Sequence, residues 1–290
     1  MTAPAAAAPI GIFDSGVGGL SVWRQIVRQL PDESTLYFAD RAHVPYGSRH
    51  SREIRFYSEA ICACLVEAGC KAIVVACNTA SAVALHHLRE RFPGHLILGL
   101  EPAVKPAVAL TRSGVVGVMA TPATFQGQLY RATVGRHAGE VTVVEQVCLG
   151  LADLVEAGIP EGADTDALLR SFLEPMLAAG ADTIVLGCTH YPFVIDAIRR
   201  LAGPEVTVID PAPAVARHLG CLLKRHDLEA PAGRGVEHRF LTTGQAACFD
   251  RDASHLIGID AASQAVPWRP DTPRDSEAEP LRLQSPPQPF

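Results

Sequence analysis

Short runs of branched apolar residues alternate along this chain with longer stretches of helical periodicity. Ile10-Gly-Ile-Phe13, Thr35-Leu-Tyr-Phe-Ala39, Lys71-Ala-Ile-Val-Val-Ala76, Leu96 to Leu100, Gly114 to Met119, Glu140 to Val147, Thr183-Ile-Val-Leu186 and Val206 to Ile209 read as strands. Leu20 to Leu30, Arg52 to Ala68, Asn78 to Phe92, Asp166 to Ala179 and Ala214 to His226 read as helices, with a last strand near Arg239. Uninterrupted apolar runs belong to strands covered on both faces, and strand-helix alternation closes by right-handed crossovers into parallel sheets. The expected fold class is α/β: two pseudo-symmetric doubly wound lobes with mostly parallel sheets and the functional site in the cleft between them.

Two of these runs end alike, in Val75-Ala-Cys77-Asn78-Thr79 and Leu186-Gly-Cys188-Thr189-His190. Ligands of open α/β sheets bind beyond the carboxyl ends of the strands, so two thiols at two strand ends define a candidate site. Polar residues follow each cysteine at an expected helix start, where the helix dipole favours a thiolate. A pair of weak acid/bases on opposite faces of a substrate suits inversion of a carbon centre, one group removing a proton while the other delivers one. Cys62, Cys64, Cys70, Cys148, Cys221 and Cys248 are read as structural. No metal site is expected, since Cys62-Ala-Cys64 lies on a helix with the wrong spacing for zinc and His86-His87 point apart.

The proline after a strand end at Glu101-Pro102 and Asp210-Pro211 marks the two places where the chain changes lobe. Residues 10–101 with 211–260 then form lobe one, and 102–210 lobe two. Residues 1–9 read as a flexible leader without the charged and apolar parts of a signal peptide, and 261–290 as a proline-rich disordered tail. The 290 residues are 48% hydrophobic, enough for a large core, and the formal charge of −6 supplies no basic face for nucleic acid. No run is long enough to span a membrane, and eight irregularly spaced cysteines suit a reducing, cytoplasmic address.

Between the first strand and first helix stands Asp14-Ser15-Gly16-Val17-Gly18-Gly19, which is neither a dinucleotide fingerprint nor a phosphate loop. Its glycines are expected to permit positive φ and close backbone approach, and the helix start beyond them to offer N–H groups to a small carboxylate. A tight turn with Asp14 as its cap is the plainer alternative. Val44-Pro45-Tyr46-Gly47 is by itself an ordinary loop.

Taken as a set, Ile12-Phe-Asp-Ser-Gly-Val-Gly-Gly-Leu20, Val44-Pro-Tyr-Gly47, Ala76-Cys-Asn-Thr-Ala80 and Leu186-Gly-Cys-Thr-His-Tyr-Pro192 resemble the glutamate racemases of the cofactor-independent aspartate/glutamate racemase superfamily, from about Ile10 to Gly258. The resemblance implies interconversion of L- and D-glutamate without cofactor or metal, supplying D-glutamate for peptidoglycan. It implies Cys77 and Cys188 as acid/bases, on D- and L-glutamate respectively, assisted by Asp14 and His190. Asp14, Ser15, Tyr46, Gly47, Asn78, Thr79, Thr121, Thr189 and His190 are implied to hold the substrate. Glu156 matches an acidic position near the site, although Cys148-Leu-Gly-Leu stands where the family often has Cys-Pro. A homodimer without membrane or direct nucleic-acid contact is the implied assembly. The alternatives are an aspartate or related racemase and, from a different class, a binding protein that inhibits DNA gyrase.

Overall fold

In the computed structural model, which describes residues 6–266, Ile10–Asp14 (β1) lies between two other strands and is buried along its whole length. After the helix Leu20–Gln29 (α1) comes Thr35–Ala39 (β2), then Ser51–Glu67 (α2), Ala72–Val75 (β3), Asn78–Arg91 (α3) and Leu96–Gly99 (β4). Every residue of β1, β2 and β3 is buried, as apolar runs covered on both faces require. The chain next builds Val104–Leu110 (α4), Val115–Ala120 (β5), Pro122–Gln126 (α5), Gln128–His137 (α6), Thr142–Val147 (β6), Leu151–Glu156 (α7), Ala163–Ala178 (α8), Thr183–Gly187 (β7), Ile195–Ala202 (α9) and Thr207–Ile209 (β8). It ends with Ala212–Arg225 (α10), His238–Thr242 (β9), Ala246–Ile257 (α11) and Ser263–Ala265 (β10).

Two sheets result, both entirely parallel. The first has the order β10-β9-β2-β1-β3-β4 and the second β6-β5-β7-β8. The chain leaves the first sheet after β4 and returns to it after β8, where the Asp210 carboxylate accepts the Ala212 N–H at 2.9 Å and starts α10. Returning α10 packs on α1, with Gln29 Nε2 donating to the Pro213 carbonyl at 3.2 Å.

Three expectations change. The stretch read as tail from residue 261 contains an edge strand at Ser263–Ala265, held in register against Phe240–Thr242, and Val266 beyond it is buried; the rest of the proline-rich segment lies outside the described residues. The leader is held at its end, where the Ala6 carbonyl accepts from the buried Lys71 Nζ at 2.5 Å and the Ala7 carbonyl from Arg234. Thr189-His190 opens a single 3₁₀ turn, Tyr191–Val194, and α9 begins only at Ile195.

Candidate active site

The carboxyl ends of β1 and β3 in one sheet and of β5 and β7 in the other point into a common cleft. Asp14, the last residue of β1, is completely buried; its Oδ2 accepts the Gly16 N–H at 2.9 Å and its Oδ1 the Thr189 hydroxyl of the other lobe at 3.1 Å. Burial pushes its carboxyl above the ordinary range, against the opposing pull of His190.

The glycines that follow serve a purpose only half anticipated. None of Gly16, Gly18 and Gly19 has positive φ. Each is required by close approach: a Cβ on Gly16 would stand 1.9 Å from Glu156 Oε1, one on Gly18 2.5 Å from the His190 ring, and one on Gly19 2.6 Å from Asp14 Cβ. The loop's amides are also less available to an anion than expected. Gly16 N–H donates to Asp14, Val17 N–H to Glu156 Oε1 at 2.8 Å, and those of Leu20, Ser21 and Val22 to carbonyls of the loop itself. At Gly16 and Gly18 the loop is thus a bare surface against which Glu156 and His190 of lobe two pack, while Gly19 makes room for Asp14 and Tyr37 of its own lobe.

Cys188 lies directly after β7 and is 8% exposed. His190 Nδ1 is 3.6 Å from its Sγ, and His190 Nε2 is 2.7 Å from Glu156 Oε1 at the end of α7. Burial disfavours the charged imidazole, yet the hydrogen bonds to Cys188 and Glu156 prevail and hold His190 well above the usual histidine range. Burial likewise works against the Glu156 carboxylate, and His190, the Val17 amide and Arg41 outweigh it, so Glu156 is held below its ordinary value. An imidazolium-carboxylate pair therefore stands beside Cys188.

Cys77 has different neighbours. It caps α3, its sulfur accepting the Ala80 N–H at 3.4 Å, and lies 4.0 Å from Ser15 Oγ. Being 5% exposed, it is pushed up strongly by burial and further by the Asp14 charge, which prevails over the helix start and keeps it a thiol. Asn78 beside it is 2% exposed, and neither Oδ1 nor Nδ2 has a partner. Buried amides are normally paired, so this one stands out at the start of α3.

The floor joining the lobes is a triangle of hydroxyls. Thr79 Oγ1 lies 2.9 Å from Thr121 Oγ1 and 3.3 Å from Thr124 Oγ1, and the last two are 2.9 Å apart. Thr121 caps α5 with Pro122 next to it. Gly47 fits here by lacking a side chain, since a Cβ would meet Thr121 Cβ at 2.8 Å. Tyr46 is buried and donates its hydroxyl to Asp40 Oδ2 at 2.5 Å, so its phenol braces the site from behind.

The structure thus gathers Asp14, Ser15, Cys77, Asn78, Thr79, Thr121, Cys188, Thr189 and His190 around one cleft, with Gly47 at the lobe contact and Tyr46 one layer back. Sequence reasoning missed Tyr37, whose hydroxyl donates to the Gly16 carbonyl at 2.9 Å; Thr124; and Arg41 with Asp252, paired at 2.8 Å beside Glu156. Tyr37 sits in a strand read only as core, and no local spacing links Arg41 to Asp252. All eight cysteines are free thiols, and among the described residues no group of three or more His, Cys, Asp or Glu side chains is gathered as for a metal ion.

Chemically, the cleft offers two thiols on opposite lobes, one beside an imidazolium and one beside a carboxyl group, with water largely excluded. Residues 10–219 match the family described as Asp/Glu/Hydantoin racemase. The chain is 48% identical over 262 residues to a protein named glutamate racemase from Stutzerimonas stutzeri (strain A1501), covering 90% of this chain and 98% of that one. Among solved structures it is similar to glutamate racemase isoform RacE1 from Bacillus anthracis (TM-score 0.83, 33% identity, 89% and 97% of the two chains). It is similar also to glutamate racemase from Francisella tularensis subsp. tularensis SCHU S4 in complex with D-glutamate (TM-score 0.80, 28% identity, 90% and 98%).

Proposed function

The chain belongs to the Asp/Glu/Hydantoin racemase family, as a glutamate racemase, and from that premise we propose that it inverts glutamate by proton transfer between Cys77 and Cys188. The observation that carries this mechanism is the unequal surroundings of two equivalent thiols. Beside Cys188 stands the His190–Glu156 ion pair, with His190 Nδ1 3.6 Å from the sulfur, whereas around Cys77 burial and the Asp14 charge favour the neutral thiol. As the resemblance assigns them, Cys188 removes the α-proton of L-glutamate from one face and the Cys77 thiol delivers a proton to the other. D-glutamate requires the opposite assignment, with Cys77 giving up its proton before it can act as base.

An α-proton is far less acidic than a thiol near 8.5, so the cleft must stabilise the charge that develops on the α-carboxylate. The unpaired Asn78 amide, the Ser15 hydroxyl and the Thr79–Thr121–Thr124 triangle are the donors available for the two carboxylates. They are held in place by packing rather than recruited from water, which is what makes such donors effective. Enantiomers have equal free energy in water, so neither thiol has to be the stronger base for the reaction to run both ways. The homodimer rests on the resemblance and the cytoplasmic address on the irregular cysteine usage; no described helix is long and apolar enough to cross a membrane.

Incubation of the purified protein with L-glutamate in D2O, without added cofactor, tests the proposal. Optical rotation falling to zero while deuterium enters the α-position is the expected result. Exchange on aspartate but not on glutamate would move the substrate, and silence on both would end the reading.

A further inference from the structure

The guanidinium of Arg41 spans the contact between the lobes, and the two proton transfers make no direct use of it. Arg41 follows β2 in a turn fixed on several sides. Asp40 N–H donates to the Asp14 carbonyl at 3.0 Å, Ala42 N–H to Thr243 Oγ1 at 2.9 Å, and the Thr243 hydroxyl to Asp40 Oδ1 at 2.8 Å. From this base Arg41 Nη1 meets Asp252 Oδ2 of α11 at 2.8 Å, and Nε approaches Glu156 Oε2 of α7 at 3.6 Å. Asp252 is 2% exposed, so the brace is buried on the lobe-one side. Glu156 commits its other oxygen to His190 and to the Val17 amide.

We propose that Arg41 is a positioning residue for the Cys188 half of the reaction: braced by Asp252 in lobe one, it holds the Glu156 carboxylate of lobe two against His190 and so keeps the imidazole aimed at Cys188. The inference rests on the two-thiol reading for its purpose. Without Arg41, a nearly buried carboxylate loses its cation on one oxygen and is free to turn about the other. His190 then loses a fixed acceptor on Nε2, and the sulfur facing Nδ1 loses its charged partner. The other titratable groups that act on Glu156 and His190 among the described residues include Asp14, Tyr37 and Cys188, none of them a cation. No substitute for Arg41 is at hand.

The effect is one-sided, because Cys77 is surrounded by the Ser15 hydroxyl, the Ala80 amide and Asp14, with the Cys188 sulfur beyond them, whereas the Arg41–Glu156–His190 chain ends at Cys188. Racemisation rates alone cannot display that asymmetry. With an equilibrium constant of one, kcat/KM falls equally in both directions whichever thiol is impaired, so the asymmetry has to be read on the sulfurs themselves.

The test is iodoacetamide alkylation of Cys77 and Cys188, followed peptide by peptide at pH 7 in the wild type, Arg41→Gln and Arg41→Lys, beside glutamate racemisation by each. Arg41→Gln is expected to slow Cys188 about tenfold, as loss of one partly buried ion-pair partner about 1.4 kcal/mol strong would, and to leave Cys77 within about twofold, with kcat/KM reduced about tenfold. Arg41→Lys recovers most of both, and Asp252→Asn, which removes the brace together with the exposed Arg251 pairing at 2.9 Å, gives a smaller effect in the same direction. Equal slowing at the two sulfurs, or none at Cys188, overturns the proposal. A wild type that does not racemise glutamate, yet shows the one-sided alkylation change, would overturn the reaction while leaving the role of Arg41 at Cys188 standing.

Discussion

Gly18 lies so close beneath His190 that a Cβ built on it would stand 2.5 Å from both Nδ1 and Cε1 of the ring. Nδ1 is the atom that faces Cys188, so the missing side chain on one lobe sets the position of the imidazole on the other. Gly18→Ala is expected to push His190 away by about 1 Å and to lower kcat about a hundredfold, the cost typical of such a displacement in a preorganised site. Gly16→Ala, whose Cβ would overlap Glu156 Oε1, is expected to be at least as severe. Both backbones have ordinary φ, so circular dichroism and thermal melting should show a folded protein. Full activity in Gly18→Ala would mean that His190 is not held by this contact.

Removal of either sulfur separates inversion from exchange. Cys77→Ala and Cys188→Ala are each expected to lose racemisation by about 10³-fold or more, since a missing acid or base commonly costs 10² to 10⁴. Cys77→Ala still carries Cys188 beside its imidazolium. It should therefore wash deuterium from D2O into L-glutamate without producing the D-enantiomer, as seen by NMR with chiral chromatography. Near-normal racemisation by either variant would refute the two-base mechanism.

The ion pair between His190 and Glu156 fixes a pH window. Glu156, lowered in the folded protein by His190, Val17 and Arg41 against burial, stabilises the fold above its unfolded value near 4.3, and that contribution disappears as pH falls through the folded value. His190, raised by Cys188 and Glu156 against burial, contributes fully below about 6.5 and loses its contribution as pH rises through the folded value. Both are in full force between about pH 5 and 6.5. Calorimetry of Glu156→Gln should give the largest drop in Tm relative to wild type in that window, narrowing on either side. A drop that is constant from pH 3 to pH 10 would show that the pair is not ionised as described.

The parts of this molecule written in local pattern could be read from the sequence. Runs such as Ile73-Val-Val75 announce themselves because a strand buried on both faces must be apolar throughout, and the two cysteines stand out because each terminates such a run. The parts set by long-range contact could not. Helices α5 and α7, of five and six residues, are too short for a period to show, and Ser263-Gln-Ala265 becomes a strand only because β9 presents an open edge to it. Asp252 lies 211 residues beyond Arg41 in the chain, and nothing near either announces their pairing. The glycine loop shows the subtler case: close approach was legible but positive φ was the wrong reason, because Gly16 and Gly18 are constrained by Glu156 and His190 of the opposite lobe and Gly19 by Asp14 and Tyr37 of its own.

At the far end of the first sheet, Lys71 is 0% exposed and its Nζ lies 2.5 Å from Glu33 Oε2, while Glu33 Oε1 accepts the Ala230 N–H at 2.9 Å. The pair ties the turn between α1 and β2, the residue before β3 and the loop before β9 together away from the cleft. Lys71→Ala leaves a buried carboxylate without its cation, which costs about 3 to 5 kcal/mol when one partner of such a pair is removed. The expected result is a markedly lower urea midpoint with kcat unchanged in the protein that remains folded. Lys71→Ala together with Glu33→Gln should recover part of the loss; a double variant worse than the single one would show that the amide contact to Ala230, not the ion pair, carries the stability.

Asn78 presents the reverse balance of stability and function. Its amide is 2% exposed with both polar atoms unpartnered, and such a group costs stability until something pairs with it. Asn78→Ala is therefore expected to leave Tm unchanged or slightly raised, because the unsatisfied atoms go and little packing goes with them. Binding should suffer instead. If Nδ2 donates to a glutamate carboxylate, losing that charged hydrogen bond raises KM about tenfold to a hundredfold, from about 1.5 to 3 kcal/mol. Asn78→Asp, which is close to isosteric but brings a negative charge toward the substrate's own, should be worse than alanine in KM and should improve at acid pH as the new carboxyl takes up a proton. Steady-state kinetics on L- and D-glutamate from pH 5 to 9 distinguish the two variants. A KM for Asn78→Ala equal to that of wild type in both directions would remove Asn78 from the substrate's ligands and leave its buried amide as a structural cost with no function attached.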